Sequence, residues 1–331
     1  MRLGVDNFVL PLYNVVKYTK VGVRMGAIVI GAANMDIGAV AREPLVPRDS
    51  TPGTVTVSLG GVGRNIAHNL CLLGVPTALI TVLGDDGFAG EVRRSAAETG
   101  LDLSRSATVP GARTSSYVFI AGHDGDMVQA VNDMAIYEAM TPAFLAQRLD
   151  FINSAELVVI DTNLPQCSIE WLCEHCTAPL VADPVSAVKA VKLQKVLHRL
   201  YAVKPNRLEA ELLSGVRIQT ETDVVAAGDA LLQKGVNSVY LSLGAQGLYA
   251  AKKGESVRVP CPQVRAVNAT GCGDAMVAAL ASSLLRGSPL AETARFAMAA
   301  GAFAATANST IHPDMSVENI NSRMKKGGYT E

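Results

Sequence analysis

The stretch Asn268-Ala269-Thr270-Gly271-Cys272-Gly273-Asp274 joins a short polar turn to a long apolar segment with the composition of a buried helix beginning near Asp274. Two glycines let the backbone approach a ligand closely and turn its N–H groups inward. A helix start adds the positive end of the peptide dipole. A carboxylate beside such an anion-binding turn is badly placed to hold phosphate. It is well placed to accept a proton from a hydroxyl while the amides stabilise charge forming opposite it. The combination reads as phosphoryl transfer to an alcohol.

Outward from this turn the chain alternates short apolar runs with helical spacing. Ala27–Ile30, Thr77–Leu83, Leu157–Ile160, Leu180–Ala182, Leu200–Val203 and Ser238–Leu243 read as strands. Residues 61–73 carry apolar positions at helical intervals closed by Gly74, and Phe88–Thr99 is an amphipathic helix closed by Gly100. Such βα alternation predicts a mainly parallel sheet covered by helices on both faces. Two parts break the pattern: the segment near Val40–Leu59, and a hairpin over Ser115–Ile120 and Met127–Val131 turned by Gly122-His123-Asp124-Gly125. They read as a small β-flap over one edge. Ligands in open α/β sheets bind beyond the carboxyl ends of the strands. The polar clusters at Asn34/Asp36, Asn163, Asp183, Asn206 and Ser242/Gly244 all follow strands and should meet there.

Composition narrows the function. The chain has 331 residues, 49% of them apolar and 18% charged, which supports a large core and argues against disorder. A net charge of −1 gives no electrostatic footprint for nucleic acid or an anionic membrane. No apolar run reaches the roughly 18–20 residues that span a bilayer. Six cysteines in a chain this long are no disulfide scaffold, so a reducing cytoplasmic setting is expected. Residues 1–24, with Asp6 against four basic residues, read as an extension ahead of the domain.

Other motifs admit two readings each. Gly60-Gly61-Val62-Gly63-Arg64-Asn65 lies between a strand and a helix. It is either a tight connection or a backbone approach to a polar ligand, with Asn65 as a hydrogen-bonding group. The spacing fails the dinucleotide pattern, and no Walker loop is present. In Lys204-Pro205-Asn206-Arg207-Leu208-Glu209, Asn206 and Glu209 form a capping-box pair. The same Glu209 could face a hydrated Mg²⁺, which takes few protein ligands. Cys173-Glu174-His175-Cys176 lacks a second ligand pair and reads as ordinary helix. Cys272 reads as a space-filling residue rather than a nucleophile, and His68 as a packing residue.

Together these segments resemble the ribokinase-like (PfkB) carbohydrate kinases from Ala27 to about Met324. The family's early motif matches Gly60, Gly61 and Asn65. Its late motif, usually Asp-Thr-x-Gly-Ala-Gly-Asp, matches Asn268–Asp274 in spacing, with Asn268 and Cys272 as departures. The resemblance implies an α/β fold, a doubly wound, mainly parallel sheet with helices on both faces and a small β-lid. It implies a kinase domain over residues 25–324, a lid from about 37–59 and 112–133, and a tail over 325–331. By position, Asp274 would be the base, and Gly271, Cys272 and Gly273 the anion hole. Asn34, Asp36, Gly60, Gly61 and Asn65 would hold the acceptor. Asn206, Ser242, Gly244, Gly247, Thr270 and Asn308 would line the ATP side, with Glu209 on Mg²⁺ through water. A monovalent cation (K⁺) would sit near this loop, where Asn268 departs from the family, and the lid would join two subunits as a homodimer.

Within the family, the stretches Ser58–Asn69, Thr114–Tyr117, Val131–Met134, Val181–Lys189 and Lys204–Glu211 resemble a subgroup that phosphorylates a nucleoside 5′-hydroxyl. Asn132, Asp133 and Asn163 are then the expected readers of the base. A sister kinase for another sugar or nucleoside, and a non-catalytic sensor on the same fold, are the alternatives.

Overall fold

The computed structural model describes residues 25–326, so the extension over 1–24 and most of the tail lie outside the described residues. The strands in chain order are β1 (Ala27–Ile30), β2 (Asn34–Ala41), β3 (Gly53–Gly60), β4 (Thr77–Ile80), β5 (Val82–Leu83), β6 (Ala107–Thr108), β7 (Ser116–Ala121), β8 (Met127–Asp133), β9 (Leu157–Asp161), β10 (Leu180–Asp183), β11 (Ala202–Val203), β12 (Ser238–Ser242), β13 (Leu248–Lys252) and β14 (Glu255–Val259). Eight of them form one sheet in the order β14-β13-β12-β11-β10-β9-β1-β4. From β4 to β12 every pairing is parallel, and β13 and β14 close one edge antiparallel.

A parallel sheet covered on both faces needs strands that are apolar at every position. β1 (AIVI) meets that demand: all four residues are buried, with Ala27 and Val29 in one core cluster and Ile28 and Ile30 in the other. The first cluster packs under the helices Cys272–Leu285 and Leu290–Ala304. A second sheet, in the order β3-β2-β7-β8, stands apart from this core and supplies the small β-layer. Its β7–β8 hairpin matches the one read from the sequence within a residue or two at each end.

Three local predictions needed correction. The run Thr77–Leu83 forms two strands instead of one. Ser106 donates from Oγ to the Leu79 carbonyl and accepts from the Thr81 N–H, and Ala107 N donates to Thr81 O. These bonds peel Val82–Leu83 away from β1 and pair it with β6. Leu200–Val203 shortens to Ala202–Val203 because Leu200 ends a 3₁₀ turn over Leu197–Arg199. The helix expected near Asp274 starts at Cys272, since Gly271, at φ 82°, turns the chain directly into it.

The rim at the strand ends is held by Asp161, the last residue of β9. Its Oδ2 accepts from Ala32 N and Gly63 N, both at 2.8 Å, and its Oδ1 accepts from Asn163 N at 2.8 Å. One buried carboxylate thus fixes the turn after β1, the first turn of the helix Val62–Leu72, and its own loop. A Cβ on Gly31 would collide with this carboxylate, so Gly31 is required by close approach. Tyr137 adds a second tie: its Oη accepts from Ala33 N at 2.9 Å and donates to Ala33 O at 2.6 Å. Asp161→Ala would leave three N–H groups without partners in a buried site. It is expected to destabilise the fold by about 3 kcal/mol or more, read as a lower urea midpoint at unchanged m-value.

Candidate active site

Asp274 is the third residue of the helix Cys272–Leu285, inside its first turn. Gly271, its N-cap, has a left-handed φ, and a Cβ there would collide with the Thr310 carbonyl. Asn268 shapes the preceding turn: its Oδ1 accepts from Thr270 N at 2.9 Å, and its Nδ2 donates to Asn308 O at 3.1 Å. Asp274 is only 9% exposed, and its Oδ2 accepts from Asn65 Nδ2 at 2.8 Å. Burial, then the Asp183 carboxylate, push its pKa up to about 7, while the Asn65 hydrogen bond and Lys204 pull it back. A carboxyl so tuned can take up a proton near neutral pH.

Lys204, just beyond β11, makes a buried ion pair with Asp183 at the end of β10, Nζ to Oδ2 at 3.7 Å. A Cβ added to Gly273 would stand 3.3 Å from that Nζ. A buried cation therefore lies against the glycine turn, where the N-terminal amides of the helix also converge. The next residues are strained: Val185, β-branched, holds φ 63° while its N–H donates to Asp183 Oδ1 at 2.7 Å. Such a backbone costs on the order of 1–3 kcal/mol and is typical of functional sites.

A cavity of about 690 Å³ opens beside this turn. Of the residues expected on the nucleotide side, Asn206, Glu209, Ser242, Gly244 and Gly247 line it, as do Cys272, Gly273 and Asp274. Thr270 and Asn308 do not line it; Asn308 meets the turn through its carbonyl. The far end is an apolar slot including Cys261, Met276, Met298 and Ala305. The capping box is formed: Asn206 Oδ1 accepts from Glu209 N, and the Glu209 oxygens accept from Asn206 N at 2.8 Å and Asn206 Nδ2 at 2.7 Å. Burial and then Asp183 raise the Glu209 pKa. A carboxylate has about four acceptor positions, so Glu209 retains capacity toward the cavity. A group of three metal-ligating side chains is absent among the described residues. The donor set therefore suits a cation held mainly by water and phosphate oxygens.

The acceptor candidates form a second corner. Asn34 Nδ2 donates to Asp36 Oδ1 at 2.6 Å. A Cβ on Gly60 would collide with the Asp36 carboxylate, and one on Gly61 (φ 94°) would stand 2.5 Å from Ala32 O. Burial raises the Asp36 pKa, opposed by the Asn34 hydrogen bond and Arg64. Asn65 bridges this corner to Asp274. Asn163 is turned to Lys189, whose Nζ donates to its Oδ1 at 2.5 Å. Register separates Asn132 from Asp133. Asn132 pairs with Tyr117, which pairs with Asp36, so these three share one face of the second sheet. Asp133 pairs with Ser116 on the opposite face, beside Arg113 and Asp86. Cys173 and Cys176 pack in the core, where burial pushes the Cys173 thiol up to about 12.

Sequence reasoning missed Arg64, Asp161, Lys204 and the apolar slot. Asp161 carried a usable signal, a carboxylate ending an otherwise wholly apolar strand, and Lys204 opened a motif already singled out.

A sheet of this order with a β-layer over one edge, and a helix-start glycine turn facing a buried carboxylate, define a class of sugar and nucleoside kinases. The chain belongs to the pfkB family of carbohydrate kinases, whose family model matches residues 26–316. It is 38% identical over 295 residues to the pseudouridine kinase of Escherichia coli strain K12, covering 88% of this chain and 94% of that protein. The structure is similar to a carbohydrate kinase from Agrobacterium tumefaciens, with TM-score 0.78, 28% identity, and 91% and 97% of the two chains covered. It also shares its fold with Arabidopsis thaliana ribokinase complexed with ribose and ATP, with TM-score 0.78, 22% identity, and 91% and 98% covered.

The raised pKa of Asp274 has a consequence for stability. Its folded value, about 7, lies above its ordinary 3.8. Its stabilising contribution is therefore complete only below the unfolded value and is lost as pH rises through about 7. At pH 8 the buried carboxylate opposes folding. Asp274→Asn is expected to raise Tm at pH 8 by about 2–4 °C, with a smaller gain at pH 5, measured by scanning calorimetry.

Proposed function

We propose that this protein transfers the γ-phosphoryl group of Mg·ATP to the 5′-hydroxyl of pseudouridine, with Asp274 as general base. The observation that carries the reading is the position of Asp274. It lines the 690 Å³ cavity and accepts a hydrogen bond from Asn65, at a helix start, with a pKa raised to about 7. ATP would lie with its base in the apolar slot and its phosphates toward Gly271–Gly273 and Lys204. Asn34, Asp36 and Asn65 would orient the acceptor's hydroxyls. Asp274 takes the 5′-OH proton as the oxygen attacks, while the turn amides and Lys204 stabilise the equatorial charge. Mg²⁺, when bound, would supply further neutralisation of the phosphate oxygens, and Glu209 would hold its water shell. The acceptor assignment is supported by the likeness to pseudouridine kinase over nearly the whole chain.

The sign of the pH dependence follows from the base role. The carboxylate must be unprotonated, so kcat/KM rises with pH and levels off above about pH 7. Asp274→Asn should lower kcat by at least about two decades. A coupled ADP-release assay with Mg·ATP and pseudouridine, uridine or ribose reads both effects. Turnover of another acceptor in place of pseudouridine would overturn the acceptor while leaving the kinase.

Pseudouridine keeps an N1–H that uridine lacks. A buried acceptor aimed at that proton can discriminate by about 10⁴-fold, because uridine leaves it unpaired. Asn132 shares the face of Asp36, and Tyr117 lies beside it with Phe119, ring centroids 5.9 Å apart. Asn132→Ala is expected to shrink the pseudouridine-to-uridine ratio of kcat/KM at least about tenfold. Asp133→Ala should leave it within about twofold. An unchanged ratio in Asn132→Ala would clear that residue.

The opposite face of the same sheet carries Val55, Val57, Val118, Ile120 and Val131, from 39% to 66% exposed. We place a homodimer contact there, since a contiguous apolar face of this kind marks an association surface. Sedimentation velocity is expected to show a dimer at micromolar concentration that Val57→Lys converts to monomer.

A further inference from the structure

We propose that Arg64 is a positioning residue for the phosphoryl transfer: it locks the Asn65 amide with its NH₂ group toward Asp274. This inference rests on the reading of Asp274 as the base. Arg64 Nη1 donates to Asn65 Oδ1 at 3.0 Å and to the Leu59 carbonyl at 3.2 Å. Its Nη2 meets His68 Nδ1 at 3.1 Å and donates to Ser95 Oγ at 3.2 Å. The side chain is 7% exposed and makes no ion pair at contact distance among the described residues.

An asparagine side chain can present either end. A free Asn65 could offer its oxygen to a protonated Asp274 as readily as its NH₂ to the carboxylate. Guanidinium has donors only, so the atom facing Arg64 must be the amide oxygen. The NH₂ is then committed to Asp274 Oδ2, where it stabilises the charged form that accepts a proton. Arg64 is itself held from three sides: the end of β3 through Leu59, its own helix through His68, and the helix Gly87–Thr99 through Ser95. His68 remains an acceptor at neutral pH, since burial and Arg64 push its pKa down to about 4. The donors diverge from Arg64, one to the Leu59 carbonyl at the end of the β-layer and one, through Asn65, to Asp274.

The groups acting on Asp274 come from every neighbouring element: Asp183 at the end of β10, Asp161 at the end of β9, Lys204 beyond β11, and Asn65 and Arg64 on the helix Val62–Leu72. Asp36 on β2 acts on Arg64, and Cys272 lies on the helix of Asp274 itself. A simple loss of Arg64's charge would also raise the Asp274 pKa, so the experiment must separate charge from orientation.

A double-mutant cycle does so. The pH profile of kcat/KM for pseudouridine is measured for the parent, Arg64→Met, Asn65→Ala and the double variant, with Ser95→Ala and Asp274→Asn alongside. Arg64→Met is expected to move the acid limb up by at least about half a pH unit and to lower kcat about tenfold. In the Asn65→Ala background the same change should add little, because the relay is already gone. Ser95→Ala removes one of the holds on Arg64 and is expected to move the limb in the same direction as Arg64→Met but by less; a larger shift than that of Arg64→Met would overturn the proposal. Additive shifts would assign the effect to charge and overturn the proposal, as would an unmoved limb in a folded Arg64→Met. Should Arg64→Met fail to fold by circular dichroism, Arg64→Ala takes its place in the cycle under the same criteria. Near-normal turnover in Asp274→Asn would bring down the base reading itself. Loss of turnover there, with an unmoved limb in Arg64→Met, would remove only Arg64.

Discussion

One buried carboxylate ties together three segments at the rim of the sheet. Asp161 stands at the end of β9, in the middle of the sheet, with neighbouring strands on both sides. Its two oxygens take N–H groups from residues 32, 63 and 163. Two of those donors lie in turns and the third, Gly63 N–H, in the first turn of a helix, so each lacks a regular backbone partner. Hydrogen bonding to three amides offsets the cost of burying the carboxyl, which still raises its pKa. Asn34 and Asp36 follow Ala32, and Arg64 and Asn65 follow Gly63, so the acceptor corner inherits its shape from this contact.

Beyond that anchor the site is electrostatically unbalanced. Asp161, Asp183, Glu209 and Asp274 are all buried, and Lys204 forms an ion pair with one of them, Asp183. Asp183 appears among the charges that raise the pKa of Asp161, Glu209 and Asp274. Such crowding lowers stability, as functional sites commonly do. It also produces a carboxyl that holds a proton near neutrality, which an isolated surface aspartate does not. A nucleotide would carry cations into this region, and the amides and Lys204 at the glycine turn provide the complementary positive potential.

Much of the fold was legible because a parallel sheet buried on both faces leaves a plain trace: Ala27–Ile30 and Leu157–Ile160 are wholly apolar and are bounded by turn residues. The β7–β8 hairpin announced itself through Gly122 and Gly125. Thr77–Leu83 misled because apolar content says nothing of which partner a strand takes; the side chain of Ser106, distant in sequence, divides it. β13 and β14 were not anticipated, although Gly254, at φ 79°, marks their turn. The glycine turn and Asp274 could be read locally, since their chemistry lies within seven residues. Asp161 and Lys204 were not, because their decisive partners lie about 20 to 130 positions away, and Arg64 was not, because the neighbour it fixes, Asn65, acts on the distant Asp274. The choice between Asn132 and Asp133 likewise requires register, which the alternation of a single exposed strand does not supply.

The two halves of the candidate site come from opposite ends of the chain, residues 34–65 and 268–274, and they are joined by one side-chain hydrogen bond, Asn65 to Asp274. That bond lies at the end of a helix whose N-cap, Gly61, is itself the last turn out of β3. Movement of the second sheet would therefore be felt at Leu59 and Gly60 first, and Arg64 holds the Leu59 carbonyl with the same nitrogen that holds Asn65. A guanidinium that shares one N–H group's nitrogen between the β-layer and the amide facing the base cannot satisfy both if they separate. Any movement of the layer and the orientation of the amide facing Asp274 are thus geometrically linked through a single planar group. The linkage needs no long pathway, only the rigidity of the guanidinium fork and the inability of Arg64 to accept a hydrogen bond from either neighbour.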